Sequence, residues 1–186
     1  MATEEERAIQ LERPRLATRR LILRRLAISD ATEMAALVGD PGLYTFTSDQ
    51  PPTLEELTEM YRRLLRGPDA AGEWWGHWVL VERTSSRLVG VASALIWFAD
   101  GGRAQVAWVV GTAHQGQGLA KEAATALVGW LRGLPLVRIE AHIHPEHAVS
   151  AAVATSSGLE PTSAEIVDGE VVWCWDRGGG EPIAGT

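Results

Sequence analysis

The chain has 186 residues, enough for one domain with a sizeable core, and 46% are hydrophobic against 22% charged, the balance of an ordinary globular protein. A formal charge of −7 leaves no basic face for nucleic acid, and no apolar run approaches the ~20 residues that span a bilayer. The N-terminus lacks the apolar segment of a signal peptide, and a lone cysteine, Cys174, rules out an internal disulfide, so a reducing cytoplasm is expected and a membrane partner is not.

Residues 1–17 are expected to form a flexible arm, with Pro14 breaking any helix begun earlier. A first strand follows over Arg20 to Leu26, with Leu21 and Leu23 on one face. Ser29 or Asp30 can cap a helix running to about Val38, with Asp30 and Glu33 at capping-box spacing. Asp40-Pro41-Gly42 ends it, and a loop leads to a second helix behind Thr53-Leu54-Glu55-Glu56, a second capping box. Leu54, Leu57, Tyr61, Leu64 and Leu65 make its apolar stripe.

Three consecutive antiparallel strands are then predicted: Trp74 to Glu82, Arg87 to Phe98 and Arg103 to Val110. Turns at residues 83–86 and at Asp100-Gly101 join them, and Gly90 suggests a bulge or tight twist. Eight tryptophans stand beside two tyrosines and two phenylalanines; core packing is the default for most of the tryptophans.

After Val110 comes His114-Gln115-Gly116-Gln117-Gly118-Leu119-Ala120-Lys121. The stripe Leu119, Ala123, Leu127, Trp130, Leu131, Leu134 marks a helix starting there, so a glycine loop lies between a strand end and a helix start. The first turn of a helix leaves backbone N–H groups without partners and carries partial positive charge. With no acidic residue from Gly111 to Lys121, the loop suits a phosphate or pyrophosphate. The P-loop spacing fails, because Glu122 follows Lys121. The dinucleotide fingerprint lacks its third glycine, which is Lys121 here, although Glu140 could imitate its ribose-binding acid. Gln/Arg-x-x-Gly-x-Gly/Ala matches at Gln115, Gly118 and Ala120.

Beyond Gly133-Leu134-Pro135, Val137 to His144 alternates as a strand, so strand, helix and strand form a βαβ unit with its two strands parallel. Pro145 to Ser150 opens a further helix that ends at Ser157-Gly158. Residues 160–167 and 170–177 form a hairpin around Asp168-Gly169, and 178–186 a flexible tail. The domain is thus expected over residues 18–177. It is an α/β (α+β) fold with a mixed, mostly antiparallel sheet, a central βαβ unit and helices on both faces.

The Gln115–Ala120 pattern resembles the coenzyme A loop of the GNAT superfamily of N-acetyltransferases, and the element order is that of its fold. Thr18 to Arg24 resembles the opening strand of its ribosomal-protein N-terminal acetyltransferase branch. His147-Ala148-Val149-Ser150 and Ser157-Gly158-Leu159 are similar to its Asn-x-x-Ser and Gly-Phe signature, with His147 in place of Asn and Leu159 in place of Phe. The resemblance implies acetyl-CoA as co-substrate and a primary amine as acceptor, a protein N-terminus or a small molecule. It further implies pyrophosphate on the amides of Gln115, Gly116, Gln117, Gly118, Leu119 and Ala120, and pantetheine beside Val109 and Val110. The two early helices with Tyr44, Phe46 and Tyr61 would cover the acceptor, although core packing is the default for those three side chains. Relatives often form homodimers.

The proton steps are less plainly written. No tyrosine follows Tyr61, so the acid found in many relatives is missing, and Ser150 and His147 are the candidates for acid–base work and for contact with the coenzyme. Gln105 stands where some relatives carry a basic glutamate, and glutamine takes no proton at neutral pH. Glu73, His77, Glu82, Asp100, Glu140, His142 and His144 are alternatives; Glu140, His142 and His144 share a face that reads as a solvated strand face. No metal site is expected, since the His142-x-His144 pair lacks a third ligand and Cys174 is isolated. The rival readings are a non-catalytic acyl-CoA-binding module and, from Gly116-x-Gly118 with Glu140, a dinucleotide-binding oxidoreductase.

Overall fold

The computed structural model describes residues 15–47 and 50–178. Eight strands form one sheet in the order β1-β2-β3-β4-β5-β6-β8-β7. They are β1 (Leu16–Ala17), β2 (Leu21–Arg25), β3 (Glu73–Glu82), β4 (Leu88–Trp97), β5 (Arg103–Val110), β6 (Arg138–Ile143), β7 (Glu160–Val167) and β8 (Glu170–Asp176). The helices are α1 (Ala31–Val38), α2 (Leu54–Arg66), α3 (Leu119–Arg132) and α4 (Ala148–Ser157). Every neighbouring pair is antiparallel except β5 with β6, as a crossover through a helix requires. Leu16 and Ala17, assigned to the arm from sequence, pair with Leu23 and Ile22; residues 1–14 and 179–186 of the expected arm and tail lie outside the described residues.

Alternation along each strand sends successive side chains to opposite faces, and each face has its own core. Trp78 and Leu80 of β3 pack with Leu119, Leu127 and Leu131 of α3. Val79 packs with Met34 of α1 and Leu57 and Tyr61 of α2 on the other side. Helices therefore cover both faces. Trp74, Trp78 and Trp130 form one aromatic cluster with ring centroids 5.6–6.0 Å apart. Gly76 makes room for it, since a Cβ there would lie 2.4 Å from both Trp74 and Trp78.

Local signals located most ends correctly. Thr53 and Glu56 exchange hydrogen bonds as a capping box at the start of α2. At the β7–β8 turn Asp168 and Gly169 both have positive φ, 51° and 84°, the requirement of a two-residue hairpin turn. The Asp30–Glu33 box does not form. Asp30 instead accepts from the Ala27 amide and pairs with Arg24 at 2.7 Å, and Glu33 pairs with Arg87 at 2.7 Å. Val137, expected on the buried face of β6, is exposed, as is Leu54 of the α2 stripe.

The parallel ladder is short. β5 and β6 pair only at Arg103 with Arg138, Ala104 with Ile139 and Gln105 with Glu140. Beyond those positions β5 stays on β4 as far as Val110, while β6 stays on β8 as far as Ile143. The two strands diverge, and their facing backbone edges are open to a strand-like ligand. Gly90 holds the β5 side of this opening, for a Cβ there would lie 2.2 Å from the Val109 carbonyl oxygen. The register shift in β3 falls at Leu80/Val81, beside Gly90, where the bulge was expected.

Candidate active site

The loop below that divergence takes the shape its glycines permit. Residues Thr112–His114 make one tight turn, and the Gln115 side-chain amide donates to the Val110 carbonyl at 3.0 Å, tying loop to strand. Gly116 and Gly118 have φ of 73° and 76°, a left-handed conformation that costs other residues strain. Gly118 is the N-cap of α3, so the loop delivers the chain directly to a helix N-terminus and its outward amides.

Glu122 in the first turn of α3 would weaken an anion site were it free. Burial opposes its ionisation, but hydrogen bonds from the Thr18 hydroxyl and the Arg20 amide and guanidinium outweigh this and draw its pKa down to about 2. Its charge is spent on Arg20 at 2.7 Å, which also donates to the Gln117 carbonyl at 2.8 Å. One basic residue at the head of β2 therefore fixes both loop and helix start.

A cavity of about 460 Å³ opens between this loop and α4. Of the candidate coenzyme residues it is lined by Val110, Gln115, Gly116, Gly118, Leu119 and Ala120. His114 and Lys121 join them, and Ala148, Val149, Ala152 and Val153 form the opposite wall. Lys121, two positions into the helix, supplies positive charge that the motif itself does not specify. Gln117, Ser150 and His147 are not among the lining residues, and Val109 lines a different cavity.

His147 is the N-cap of α4, its Nδ1 accepting from the Ser150 amide at 3.3 Å. Burial holds this imidazole below its ordinary pKa, and neighbouring His144 adds to the effect. Phe46 stacks on His147 at 4.4 Å and tilts over His144 at 5.3 Å, bringing the α1–α2 loop onto the β6–α4 junction. Ser150 lies on the helix stripe of Val153, Ala154 and Ser157, which are buried.

On the α1–α2 face a second cavity, of about 300 Å³, extends over β3, β4 and β5 to Ala107 and Val109. His77 lines it, and burial lowers its pKa to about 4. The unfolded chain binds that proton near pH 6.5 and the folded chain does not until about pH 4, so stability falls as pH falls through this window, by up to about 3 kcal/mol. In the His77→Leu variant the slope of unfolding free energy against pH between 6.5 and 4 should flatten, measured by urea unfolding; an unchanged slope would refute the assignment.

Further along this face stands a linked row that alternation alone does not reveal. Gln105 Nε2 lies 3.2 Å from His142 Nδ1, and His142 Nε2 lies 3.4 Å from Glu140 Oε1. The other Glu140 oxygen is 3.1 Å from both Arg103 and Arg138. Expected on a solvated strand face, His142 is only 17% exposed and sits just past the last paired position of β5 and β6.

The family model of the acetyltransferase (GNAT) domain matches residues 20–160, and this establishes the class: the chain is an acyltransferase, with acetyl-CoA as its co-substrate. It belongs to the GNAT acetyltransferase family. An uncharacterized N-acetyltransferase p20 of Bacillus licheniformis is 26% identical over 146 residues, 78% of this chain and 82% of the relative. A GNAT-family acetyltransferase from Bacillus anthracis superposes with a TM-score of 0.72 at 17% identity, over 88% of this chain and 98% of the other. A ribosomal L7/L12 alpha-N-protein acetyltransferase, RimL, solved with coenzyme A, gives 0.70 at 17% identity, over 86% and 95%. The oxidoreductase reading falls with the topology. Four antiparallel strand pairs precede the crossover where a dinucleotide fold needs parallel ones, and Glu140 is engaged with Arg103 and Arg138. Among the described residues no helix is long and apolar enough to cross a membrane.

Proposed function

We propose that the chain moves the acetyl group of acetyl-CoA to a primary amine by direct attack within a ternary complex. The observation that carries this is the β5–β6 divergence standing over a glycine loop at a helix N-terminus. In this reading the diphosphate rests on the amides of Gln115, Gly116, Gln117, Gly118, Leu119 and Ala120. The pantetheine arm lies in the divergence beside Val109 and Val110, and His147 and Ser150 flank it. A backbone N–H of the open β5 edge donates to the thioester oxygen as the tetrahedral state forms.

The amine nitrogen attacks the carbonyl carbon, the C–S bond breaks, the nitrogen loses a proton and the thiolate gains one. We assign the first proton to His142. The Glu140 charge, 3.4 Å from Nε2, favours the proton there and leaves the Nδ1 lone pair toward Gln105, whose amide occupies it until an amine takes that place. We assign the second proton to Ser150, whose backbone is pinned by the His147 cap. Ser150→Ala should lower kcat on the order of 100-fold with little change in acetyl-CoA affinity; equal losses in both would make Ser150 a binding residue only.

The reading is tested by following free thiol release from acetyl-CoA across a panel of amines and peptides, with initial rates at varied concentrations of both substrates. Intersecting lines support the ternary complex, and parallel lines overturn it. Gln105 in a basic position favours the alternative of a non-catalytic acyl-CoA-binding module, and silence across the panel with acetyl-CoA bound would establish that instead. The proposal includes the cytoplasm as the compartment, on the single cysteine, and a homodimer, on the resemblance, which light scattering checks.

A further inference from the structure

The cavity on the α1–α2 face has chemistry that selects an acceptor. Its volume of about 300 Å³ is at the small end of ligand sites. Its walls are apolar: Leu26, Met34, Leu57 and Met60 from one side, Val91, Ala107 and Val109 from the sheet. Among the described residues no Asp, Glu, Lys or Arg lines it. Asp30, whose charge reaches Tyr61, is committed to Arg24 and the Ala27 amide.

Two polar atoms of residues in this lining are buried without partners among the described residues, the Tyr61 hydroxyl and His77 Nε2. Tyr61 is 3% exposed, and burial raises its pKa, so its hydroxyl keeps its proton. Buried polar atoms are normally paired, and an orphan costs free energy that a ligand atom can recover. One end of the cavity reaches Ala107 and Val109. Gln105 follows on the same strand face and contacts His142. A body filling the cavity would therefore hold its amine toward the proposed reacting centre.

We infer that the acceptor is a primary amine carried a few atoms from an uncharged aromatic or branched apolar body that bears one hydrogen-bonding atom, and that this body is seated between α2 and β3–β5 with that atom on Tyr61 and His77. Polycationic amines are disfavoured, because each extra ammonium would be desolvated with no carboxylate among the described lining residues to pair it. The inference rests on the transferase reading and names its substrate class. The same chemistry could come from a free amine or from the first residue of a peptide.

The experiment compares kcat/KM on the wild-type chain for tyramine, phenethylamine, putrescine and spermidine. A parallel arm uses tripeptides beginning with Tyr, Phe or Lys, and acetyl-CoA binding is measured separately by calorimetry. The aromatic acceptors should exceed the polyamines and the Lys peptide at least 10-fold in one arm or both, and the arm that responds identifies the source. Tyramine and the Tyr peptide should exceed their counterparts without a hydroxyl, a preference that Tyr61→Phe should erase, raising KM for the hydroxylated acceptor about 10-fold and leaving that for phenethylamine near its starting value. A polyamine or Lys-peptide preference overturns the inference and leaves the transferase reading standing; bound acetyl-CoA with no aromatic or apolar acceptor acetylated also overturns the inference. An equal effect of Tyr61→Phe on every acceptor likewise overturns it. Absence of acetyl-CoA binding removes the transferase reading itself.

Discussion

His142→Ala should lower kcat for acetyl transfer by about 100- to 1000-fold, the range of a positioned acid or base, while acetyl-CoA affinity stays within a few-fold. The variant removes the one imidazole joined to both Gln105 and Glu140 at the mouth of the β5–β6 divergence. It leaves the loop and α3 untouched. Two further variants separate chemistry from architecture. Glu140→Gln keeps the shape but removes the charge that orients Nε2–H and would stabilise the imidazolium, so kcat should fall about 10-fold, less than with His142→Ala. Gln105→Glu in the His142→Ala background puts a carboxylate on the same face of the facing strand and should recover part of the loss, with an altered pH–rate profile. A His142→Gln variant as active as the wild type would end the assignment, since glutamine keeps hydrogen bonds but takes no proton.

What could be read in advance was what neighbouring residues decide among themselves. The Thr53–Glu56 box, the Asp168-Gly169 turn and the Gly116–Gly118 loop each lie within a few residues, and the strand–helix–strand unit dictates one parallel pair whatever surrounds it. Misreadings arose where a distant residue claimed a side chain. Asp30 and Glu33 have the spacing of a capping box, but Arg24 and Arg87 take their carboxylates. Glu122, in the first turn of α3, is engaged by Arg20, which the sheet brings alongside from 102 residues away and no local pattern shows. His142 was misjudged for a similar reason. Alternation shows which face a strand residue occupies, but the point at which β5 and β6 cease to pair depends on what each strand holds on its far side. The cavity between the early helices and the sheet is the extreme case, assembled from α1, α2 and three strands with no local pattern to announce it.

Gly116→Asp should weaken acetyl-CoA binding far more than Gly116→Asn, and that difference isolates the anion. Position 116 has φ of 73° with open space where a Cβ would stand, and both Asp and Asn tolerate this conformation better than other residues. The two variants therefore share nearly the same strain and bulk and differ by one charge. A carboxylate about 4 Å from a diphosphate costs roughly 4 kcal/mol at an effective dielectric of 20. Gly116 is exposed, so screening reduces this to an expected 10- to 100-fold ratio of Kd at low salt, shrinking as salt is raised. Acetyl-pantetheine, which keeps the thioester and lacks the diphosphate, should not distinguish Asp from Asn. If it does, or if acetyl-CoA fails to, the loop at the start of α3 is not where the diphosphate lies. The β5–β6 divergence would then have to bind the thioester without the anchor that positions it.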